Sequence, residues 1–311
     1  MTRAALPAVL AVILGCSIGA GCSSEDVARE AEARARRWDI PAARITRDIV
    51  YAQYGPRQLK LDVYRPPEFY QAGAAPGIVA VRGGAWREGD KEFFGYIAGQ
   101  LAMEGFVTAS IEYRTSDEAT FPAAVQDVKA AVRWMRTHAA EYGIDPNAIG
   151  AIGGSAGAHL VGMLATTTAA ALEGEGGNPA ASSAVQAVVA MGGAYDLESR
   201  GNVGPEFISA VTDFVGAPLE AHAEAVAAAS PIRHVSRRSA PLLLLHSPTD
   251  PLAPFGQAVA MEQAYRRAGA IVLLKAIDAP GIHGFWGNPR YFREARRLAI
   301  EFFHRHLKVP D

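Results

Sequence analysis

The 311-residue chain has very little cysteine, and its two cysteines, Cys16 and Cys22, both lie near the N-terminus. A mature domain that follows them can therefore have no internal disulfide. The chain also lacks an excess of charge of one sign, since 30 basic and 32 acidic residues give a net charge of −2. A nucleic-acid-binding protein usually carries a clear basic excess, so the composition indicates no nucleic-acid partner.

Charge is absent from the N-terminal segment, where no charged residue stands between Arg3 and Glu25. The intervening sequence AALPAVLAVILGCSIGAGCSS is first apolar and then rich in small residues. This layout is typical of a secretory signal peptide, here residues 1–22. An uncleaved membrane anchor is the alternative, because the run is long enough to span a bilayer. The small residues before Cys22 favour cleavage.

The sequence GAGC at residues 19–22 resembles a bacterial lipobox, whose cysteine becomes the lipid-bearing first residue of the mature protein. Gly19 departs from that pattern, because a leucine or similar apolar residue is more usual there. ILGC, which ends at Cys16, is a competing match with a very short apolar core. We expect an exported protein anchored by lipid at Cys22 in the bacterial cell envelope. A soluble secreted or periplasmic protein is the alternative.

Residues 23–44 mix alanine with alternating charges, which predicts a solvated tether or N-terminal helix. The segments ITRDIVYA and RQLKLDVYRP then flank the turn-like QYGP. In the second segment Leu59, Leu61 and Val63 alternate with polar residues, the period of a half-exposed strand. These segments predict a hairpin at the antiparallel edge of a mixed sheet.

After the hairpin, strand-like and helix-like segments alternate. Short apolar runs predict buried strands at residues 77–81, 106–113, 148–152, 184–191, 241–246 and 271–277. This alternation predicts an α/β fold whose mostly parallel sheet is covered by helices on both faces. We expect one domain over residues 45–308. Residues 197–239 are longer than a simple crossover and are predicted to form a small lid-like insertion.

One serine stands in an unusual segment, AIGAIGGSAGAHLVG at residues 148–162, which has five glycines and no charge. Ser155 forms a G-x-S-x-G motif with Gly153 and Gly157, directly between a predicted strand and a predicted helix. Such a sharp turn strains the serine backbone, requires small neighbours and presents the hydroxyl at the carboxyl edge of the sheet. A P-loop is disfavoured, since the segment lacks the lysine that must precede Ser or Thr. Close packing alone is the other alternative.

A serine nucleophile needs a histidine base, and in a fold of this kind the histidine follows both the serine and the acid in the chain. His283 stands in a Gly/Pro-rich loop after the predicted strand at 271–277, where functional side chains are common. His304 and His306 lie on the closing helix and are expected to face solvent. His159, four residues after Ser155, is expected to point away from the hydroxyl. We therefore predict His283 as the base.

Three aspartates are candidates for the acid that orients this histidine. Asp196, Asp250 and Asp278 each follow the end of a predicted strand. Asp250 is favoured, because its strand immediately precedes the strand that leads to His283, so the two loops lie side by side. A turn aspartate before proline is the alternative role for Asp250.

Acyl transfer also needs hydrogen-bond donors for the oxyanion. The sequence RGGAWREGD at residues 82–90 follows the predicted strand at 77–81. Its backbone N–H groups, with that of the residue after the serine, are suited to bind a tetrahedral oxygen. The predicted oxyanion hole consists of Gly83, Gly84, Ala85 and Ala156.

These segments together resemble the hormone-sensitive-lipase-like and carboxylesterase branch of the α/β-hydrolases, over residues 45–308. The resemblance rests on RGGAWREGDK, FPAAVQDVKAAVRWMR, YGIDPNAIGAIGGSAGAHL, ASPIRHVS, PLLLLHSPTDPL and GIHGFW. It implies the α/β-hydrolase fold with an eight-stranded, mostly parallel sheet. It also implies a triad of Ser155, Asp250 and His283 that hydrolyses carboxylic esters through an acyl-enzyme, without a cofactor or metal.

The oxyanion loop departs from the HGGG sequence that is usual in this branch, because Arg82 replaces the histidine and Ala85 the third glycine. The N–H of Ala85 can still donate if the local dihedral angles tolerate a Cβ atom. Arg82 is expected to brace the loop by pairing with an acid such as Glu88 or Asp90. Alternatively, its charge lies in the substrate pocket and favours acidic substrates.

Two tryptophans, Trp86 and Trp286, flank the predicted catalytic loops and are candidates for the substrate pocket, with a buried core position as the alternative. The sequence therefore predicts a serine esterase for small-molecule esters with short acyl or aryl groups. A peptidase or amidase on the same triad is one alternative, although its relatives usually carry an accessory domain. A non-catalytic binding protein on the hydrolase scaffold is another, and the intact triad argues against it. The sequence does not predict the oligomeric state.

Overall fold

The structure is a computed structural model that describes residues 43–67, 73–167, 172–199, 201, 203–218 and 221–307. The predicted signal peptide, the predicted lipidation site Cys22 and residues 23–42 of the predicted tether lie outside these ranges, so those expectations stay predictions. In the part of the chain that the structure describes, no helix is long and apolar enough to cross a membrane.

Eight strands form one sheet within the described ranges. They are β1 (Arg44–Tyr54), β2 (Arg57–Arg65), β3 (Ala75–Val81), β4 (Val107–Ile111), β5 (Ile144–Gly154), β6 (Ala187–Met191), β7 (Leu242–His246) and β8 (Val272–Ala276). Their spatial order is β1-β2-β4-β3-β5-β6-β7-β8. The pairs β1–β2 and β2–β4 are antiparallel and the remaining pairs are parallel. The mostly parallel sheet that the sequence predicts, and the eight strands that the family resemblance implies, are confirmed.

Helices follow most of the strands. They are α1 (Glu92–Ala102), α2 (Ala123–Thr137), α3 (Ala139–Tyr142), α4 (Ala156–Thr166), α5 (Pro205–Val215), α6 (Ala223–Ala228), α7 (Gly256–Ala268) and α8 (Pro289–His306), with short 3₁₀ turns at Pro231–His234 and Phe285–Gly287. The apolar faces of α1 and α8 pack on one side of the sheet, and those of α2, α4, α5 and α7 pack on the other. Successive residues of β3 contribute to opposite sides, since side chains alternate along a strand. Both faces of the sheet are therefore covered.

Two strands differ from the prediction in their exposure. The sequence predicts β2 as half-exposed, but β2 lies between β1 and β4 and is buried from Leu61 to Tyr64. Its polar residue Asp62 is fully buried and forms ion pairs with Arg47 and Lys91. The sequence predicts β8 as buried, but β8 is an edge strand with partly exposed side chains, because no strand pairs with its outer side. An apolar run alone does not distinguish an edge strand from a central one.

Candidate active site

Ser155 occupies the turn between β5 and α4, with φ 55° and ψ −122°. A positive φ is strained for a residue with a side chain, and the surroundings must hold it. A Cβ atom at Gly153 would lie 2.3 Å from the carbonyl oxygen of Gly157, and one at Gly157 would lie 2.1 Å from that of Val81. The N–H of Ser155 donates to the carbonyl oxygen of Met191 on β6 at 2.9 Å. The turn is thus packed too closely for larger neighbours.

His283 reaches Ser155 from the loop after β8. Its Nε2 atom lies 2.8 Å from Oγ of Ser155, and its Nδ1 atom lies 2.7 Å from Oδ2 of Asp250. A carboxylate can only accept, so Nδ1 carries the proton and Nε2 presents its lone pair to the serine hydroxyl. The structure brings together the three residues that the sequence nominates. They form a continuous chain of hydrogen bonds.

The loop after β7 holds Asp250 as a carboxylate. Oδ1 of Asp250 accepts the N–H groups of Leu252 and Ala253, each at 2.9 Å. Burial alone would raise the pKa of this carboxyl group. The hydrogen bonds from His283 and Ala253, together with the positive charge that His283 can carry, hold the pKa below its ordinary value. The alternative acid Asp196 instead caps a local turn, where its carboxylate accepts the N–H groups of Glu198 and Ser199.

A second histidine, His246, lies beside Asp250, and the sequence predicts no role for it. His246 is the last residue of β7 and is fully buried, with Nε2 at 3.6 Å from Oδ2 of Asp250. This nitrogen also lies 2.8 Å from the carbonyl oxygen of Ala253 and donates to it. Burial lowers the pKa of His246, so the ring is neutral near pH 7. Its hydrogen bond to Ala253 fixes the loop that carries Asp250. In the sequence, only the position of His246 at the end of a predicted buried strand indicated that it lies near the site.

The predicted oxyanion loop follows β3 and lies against the Ser155 turn. A Cβ atom at Gly83 would lie 3.1 Å from the Cβ atom of Ser155. Three successive residues have positive φ, namely Gly84 (109°), Ala85 (52°) and Trp86 (61°). A Cβ atom at Gly84 would lie 2.0 Å from the carbonyl oxygen of Glu88, so this position requires glycine. The backbone at Ala85 accommodates a Cβ atom at a φ of 52°.

Arg82 lies behind this loop and is buried. Nη1 of its guanidinium group donates to the carbonyl oxygens of Gly83 and Glu88, and its Cζ atom lies 4.0 Å from the centre of the Tyr113 ring. Arg82 therefore braces the loop through hydrogen bonds to backbone carbonyls, and its charge also acts on the carboxyl groups of Glu88 and Asp90, where it opposes the rise in pKa that burial causes. It does not line the cavity beside Ser155. Its side chain is directed into the protein, so in this structure its charge does not face the cavity.

A small cavity of about 70 Å³ opens beside Ser155 and His283. Its walls come from the oxyanion loop, from α5 of the predicted insertion and from the loop of Asp250; they include Trp86, Ala156, Phe207, Ala210, Leu252 and Ala253. Trp86 therefore contributes to the cavity wall and is also almost fully buried in the core. Trp286 does not line the cavity, because its ring packs against Gly154 and lies 5.6 Å from the ring of His283. Among the described residues, no cluster of His, Cys, Asp and Glu could hold a metal ion.

Comparison with known proteins places this site in a family. The BD-FAE family model matches residues 61–265, which include the Ser155 turn and Asp250. The chain belongs to the BD-FAE family. The resemblance to hormone-sensitive-lipase-like α/β-hydrolases that the sequence indicates is confirmed.

The relatives of this BD-FAE protein include named esterases. Esterase LipQ of Mycobacterium tuberculosis is 35% identical over 76% of this chain and 56% of its own length. A truncated carbohydrate esterase from gut microbiota is 29% identical, with a TM-score of 0.73 over 85% of this chain and 98% of its own. The esterase Est2 of the planctomycete Thermogutta terrifontis is 27% identical, with a TM-score of 0.70 over 86% and 93%. The chain spans about half the length of the first curated relatives.

Proposed function

We propose that this protein is a carboxylic ester hydrolase whose nucleophile is Ser155. The observation that carries the proposal is the hydrogen-bonded chain from Ser155 Oγ through His283 to Asp250, presented on a strained strand-to-helix turn. Activation of a serine requires this combination of a base in contact and an acid that orients the base. The esterase relatives support the same reaction class.

The reaction follows from the placement of each group. Oγ of Ser155 attacks the ester carbonyl carbon while Nε2 of His283 takes the hydroxyl proton. Asp250 stabilises the imidazolium that forms. His283 then gives the proton to the leaving alcohol as the C–O bond breaks and an acyl-enzyme remains. Water then attacks the acyl carbon while Nε2 of His283 takes its proton. His283 returns that proton to Oγ of Ser155 as the acyl C–O bond breaks, which releases the acid and free Ser155.

The tetrahedral oxygen that forms in each half-reaction needs preorganised donors. We assign as donors the backbone N–H groups of Gly84 and Ala85 in the oxyanion loop and that of Ala156 at the start of α4. Gly83 packs against Ser155 and brings the loop close to the serine. Successive backbone N–H groups in a tight turn with left-handed residues can form a concave anion site. Each such donor contributes about 10²–10³ to kcat in measured serine hydrolases.

The substrates we propose are esters with short acyl groups. The cavity beside Ser155 has about 70 Å³. One water needs about 10–15 Å³, so a cavity of this size suits an acyl group of a few non-hydrogen atoms. The apolar residues Trp86, Phe207 and Leu252 line this cavity and suit an apolar acyl group, and the charged residues Arg87 and Glu206 also border it. Structures of the relative Est2 carry propionate or butyrate, which are acids of this size.

The test is an assay of the purified protein on p-nitrophenyl esters from acetate upward, beside Ser155→Ala and the exposed control Ser182→Ala. We expect hydrolysis that is highest for short chains, unchanged in the control and lost in Ser155→Ala. Equal hydrolysis by both serine variants, or none by the wild type, contradicts the esterase proposal. A wild type that cleaves p-nitroanilides as fast as esters would favour the amidase alternative.

We also propose that the chain is exported and anchored by lipid at Cys22, which only the sequence GAGC and its apolar leader support. The lipidated protein is expected to partition into the detergent phase after phase separation. Cys22→Ser moves it to the aqueous phase if the assignment is correct, and unchanged partitioning of the variant contradicts it.

A further inference from the structure

We infer that His159 is a positioning residue, which holds the oxyanion loop through Trp86 and connects that loop to the predicted insertion. The inference rests on the proposed function, because it assigns a role within the same site. His159 lies on α4, four residues after Ser155, and is fully buried. Its two ring nitrogens contact Trp86 and Ala229 and not the Ser155 hydroxyl, so His159 takes no part in the proposed reaction steps.

Both ring nitrogens of His159 have a partner from a distant part of the chain. Nε2 lies 2.8 Å from the carbonyl oxygen of Ala229, which can only accept, so Nε2 carries the proton. Nδ1 is then an acceptor, and it receives the indole N–H of Trp86 at 3.2 Å. The carbonyl of Ala229 thus sets the tautomer that allows His159 to bind Trp86.

The protonation state of His159 suits this role. Full burial lowers its pKa to about 4 from the ordinary value of 6.5. At neutral pH the ring is therefore uncharged and the Nδ1 lone pair stays available to the indole N–H. A protonated ring would carry hydrogen on both nitrogens and would lose this acceptor.

Trp86 is a residue that needs such support. It has a φ of 61°, and the preceding Ala85 has a φ of 52°. Two consecutive side-chain-bearing residues in this region persist only where their surroundings hold them. The Trp86 ring stacks on Phe214 at 4.8 Å, and its carbonyl oxygen accepts the backbone N–H of Ser116 at 2.8 Å. The hydrogen bond to His159 fixes the remaining edge of the indole and ties the loop to the helix that begins at Ser155.

The same contacts link the oxyanion loop to the insertion. Phe214 lies on α5 and Ala229 follows α6, and both belong to the predicted insertion at residues 197–239. The ring of His159 contacts those of Trp86 and Phe214 edge-on at 5.1 and 5.3 Å. His159 is therefore the junction at which the insertion, the oxyanion loop and the Ser155 helix meet. A shift of the insertion would displace Trp86, and with it the adjacent N–H of Ala85.

The test compares His159→Phe with His159→Asn. Phenylalanine keeps an aromatic ring and loses both hydrogen bonds, whereas the asparagine amide oxygen can replace Nδ1 as the acceptor for Trp86. We expect His159→Phe to lower kcat at least tenfold while KM changes by less than about threefold, because transition-state binding is weakened more than ground-state binding. His159→Asn is expected to restore part of kcat. Affinity for a trifluoromethyl ketone, which mimics the tetrahedral oxyanion, should fall in parallel with kcat/KM.

A Trp86→Phe background tests the pathway. If His159 acts through the indole N–H, His159→Phe has little further effect on kcat there. Tyr265→Phe is the control for stability alone, since it removes a buried hydroxyl that donates to the carbonyl of Ala240 and should lower Tm without changing kcat. Wild-type kcat and ketone affinity in folded His159→Phe would overturn the inference, as would equal effects in both backgrounds. Activity that survives Ser155→Ala would instead overturn the proposed function.

Discussion

The Nε2 atom of His283 lies 2.8 Å from the Oγ atom of Ser155, although 128 residues separate them in the chain. The contact arises because β5 and β8 are parallel strands of one sheet, so the loops at their carboxyl ends meet at one edge. A base at this distance can take the serine proton directly.

Asp250→Asn tests the orienting role of the carboxylate. The asparagine amide can donate to Nδ1 of His283, which favours the tautomer with its proton on Nε2, and that tautomer cannot accept the Ser155 proton. We expect kcat on p-nitrophenyl acetate to fall about 10⁴-fold with little change in fold. Asp278→Asn, an exposed aspartate near the same loop, is the control. An equal loss in both variants, or a small loss in Asp250→Asn, contradicts the assignment.

Phe207→Ala tests the acyl pocket. Phe207 lies on α5 and lines the cavity beside Ser155. Its truncation makes room for a longer chain, and a methylene in an apolar pocket is worth about 1–3 kcal/mol. The ratio of kcat/KM for hexanoate over acetate should rise about tenfold or more. The exposed Phe93→Ala should leave the ratio unchanged. If the ratio in Phe207→Ala is that of the wild type, the acyl group binds elsewhere.

Gly157→Ala tests the close packing of the Ser155 turn. The new Cβ atom would lie 2.1 Å from the carbonyl oxygen of Val81, which is backbone and cannot move freely. We expect the free energy of unfolding in urea to fall by about 1–3 kcal/mol or more. Gly256→Ala, at the start of α7, meets no atom within 4 Å and should be neutral or slightly stabilising. Equal stability of the two variants would show that the turn is looser than described.

The stability of the protein should depend on pH through its buried histidines. Because the pKa of His159 is about 4 when folded and 6.5 ordinarily, the unfolded chain binds a proton between these values that the folded chain does not. The free energy of unfolding therefore falls as pH drops from 6.5 to 4, by about 3 kcal/mol from this residue. His246, whose pKa is also lowered, acts in the same direction.

Urea unfolding at pH 7 and pH 4.5 measures this dependence. His159→Phe removes one of the groups that titrate, so its loss of stability between the two pH values should be smaller than that of the wild type. The same loss in both proteins would show that His159 is protonated in the fold or already perturbed in the unfolded chain.

Much of the site could be predicted from the sequence because its geometry follows from chain order. G-x-S-x-G between a strand and a helix determines the turn at Ser155. The order of the parallel strands brings the loops of Asp250 and His283 next to each other. Short apolar runs in the sequence predicted where the strands lie, and their positions agree with β3 to β8.

The remaining features depend on packing between distant segments. The hydrogen bonds of His159 join residues 73 and 70 positions apart, and no local pattern predicts them. Arg82 binds carbonyl oxygens instead of the nearby acids, because burial places its guanidinium among backbone groups. Trp286 fills the space that Gly154 leaves open and stays out of the pocket.

The most direct test of the account is to locate the nucleophile chemically. Paraoxon phosphorylates an activated serine and leaves a stable diethyl phosphoryl adduct, which mass spectrometry assigns to a peptide. We expect an adduct on Ser155, slow formation of this adduct in His283→Ala and none in Ser155→Ala. An adduct on another residue, or an adduct that still forms in Ser155→Ala, would contradict it.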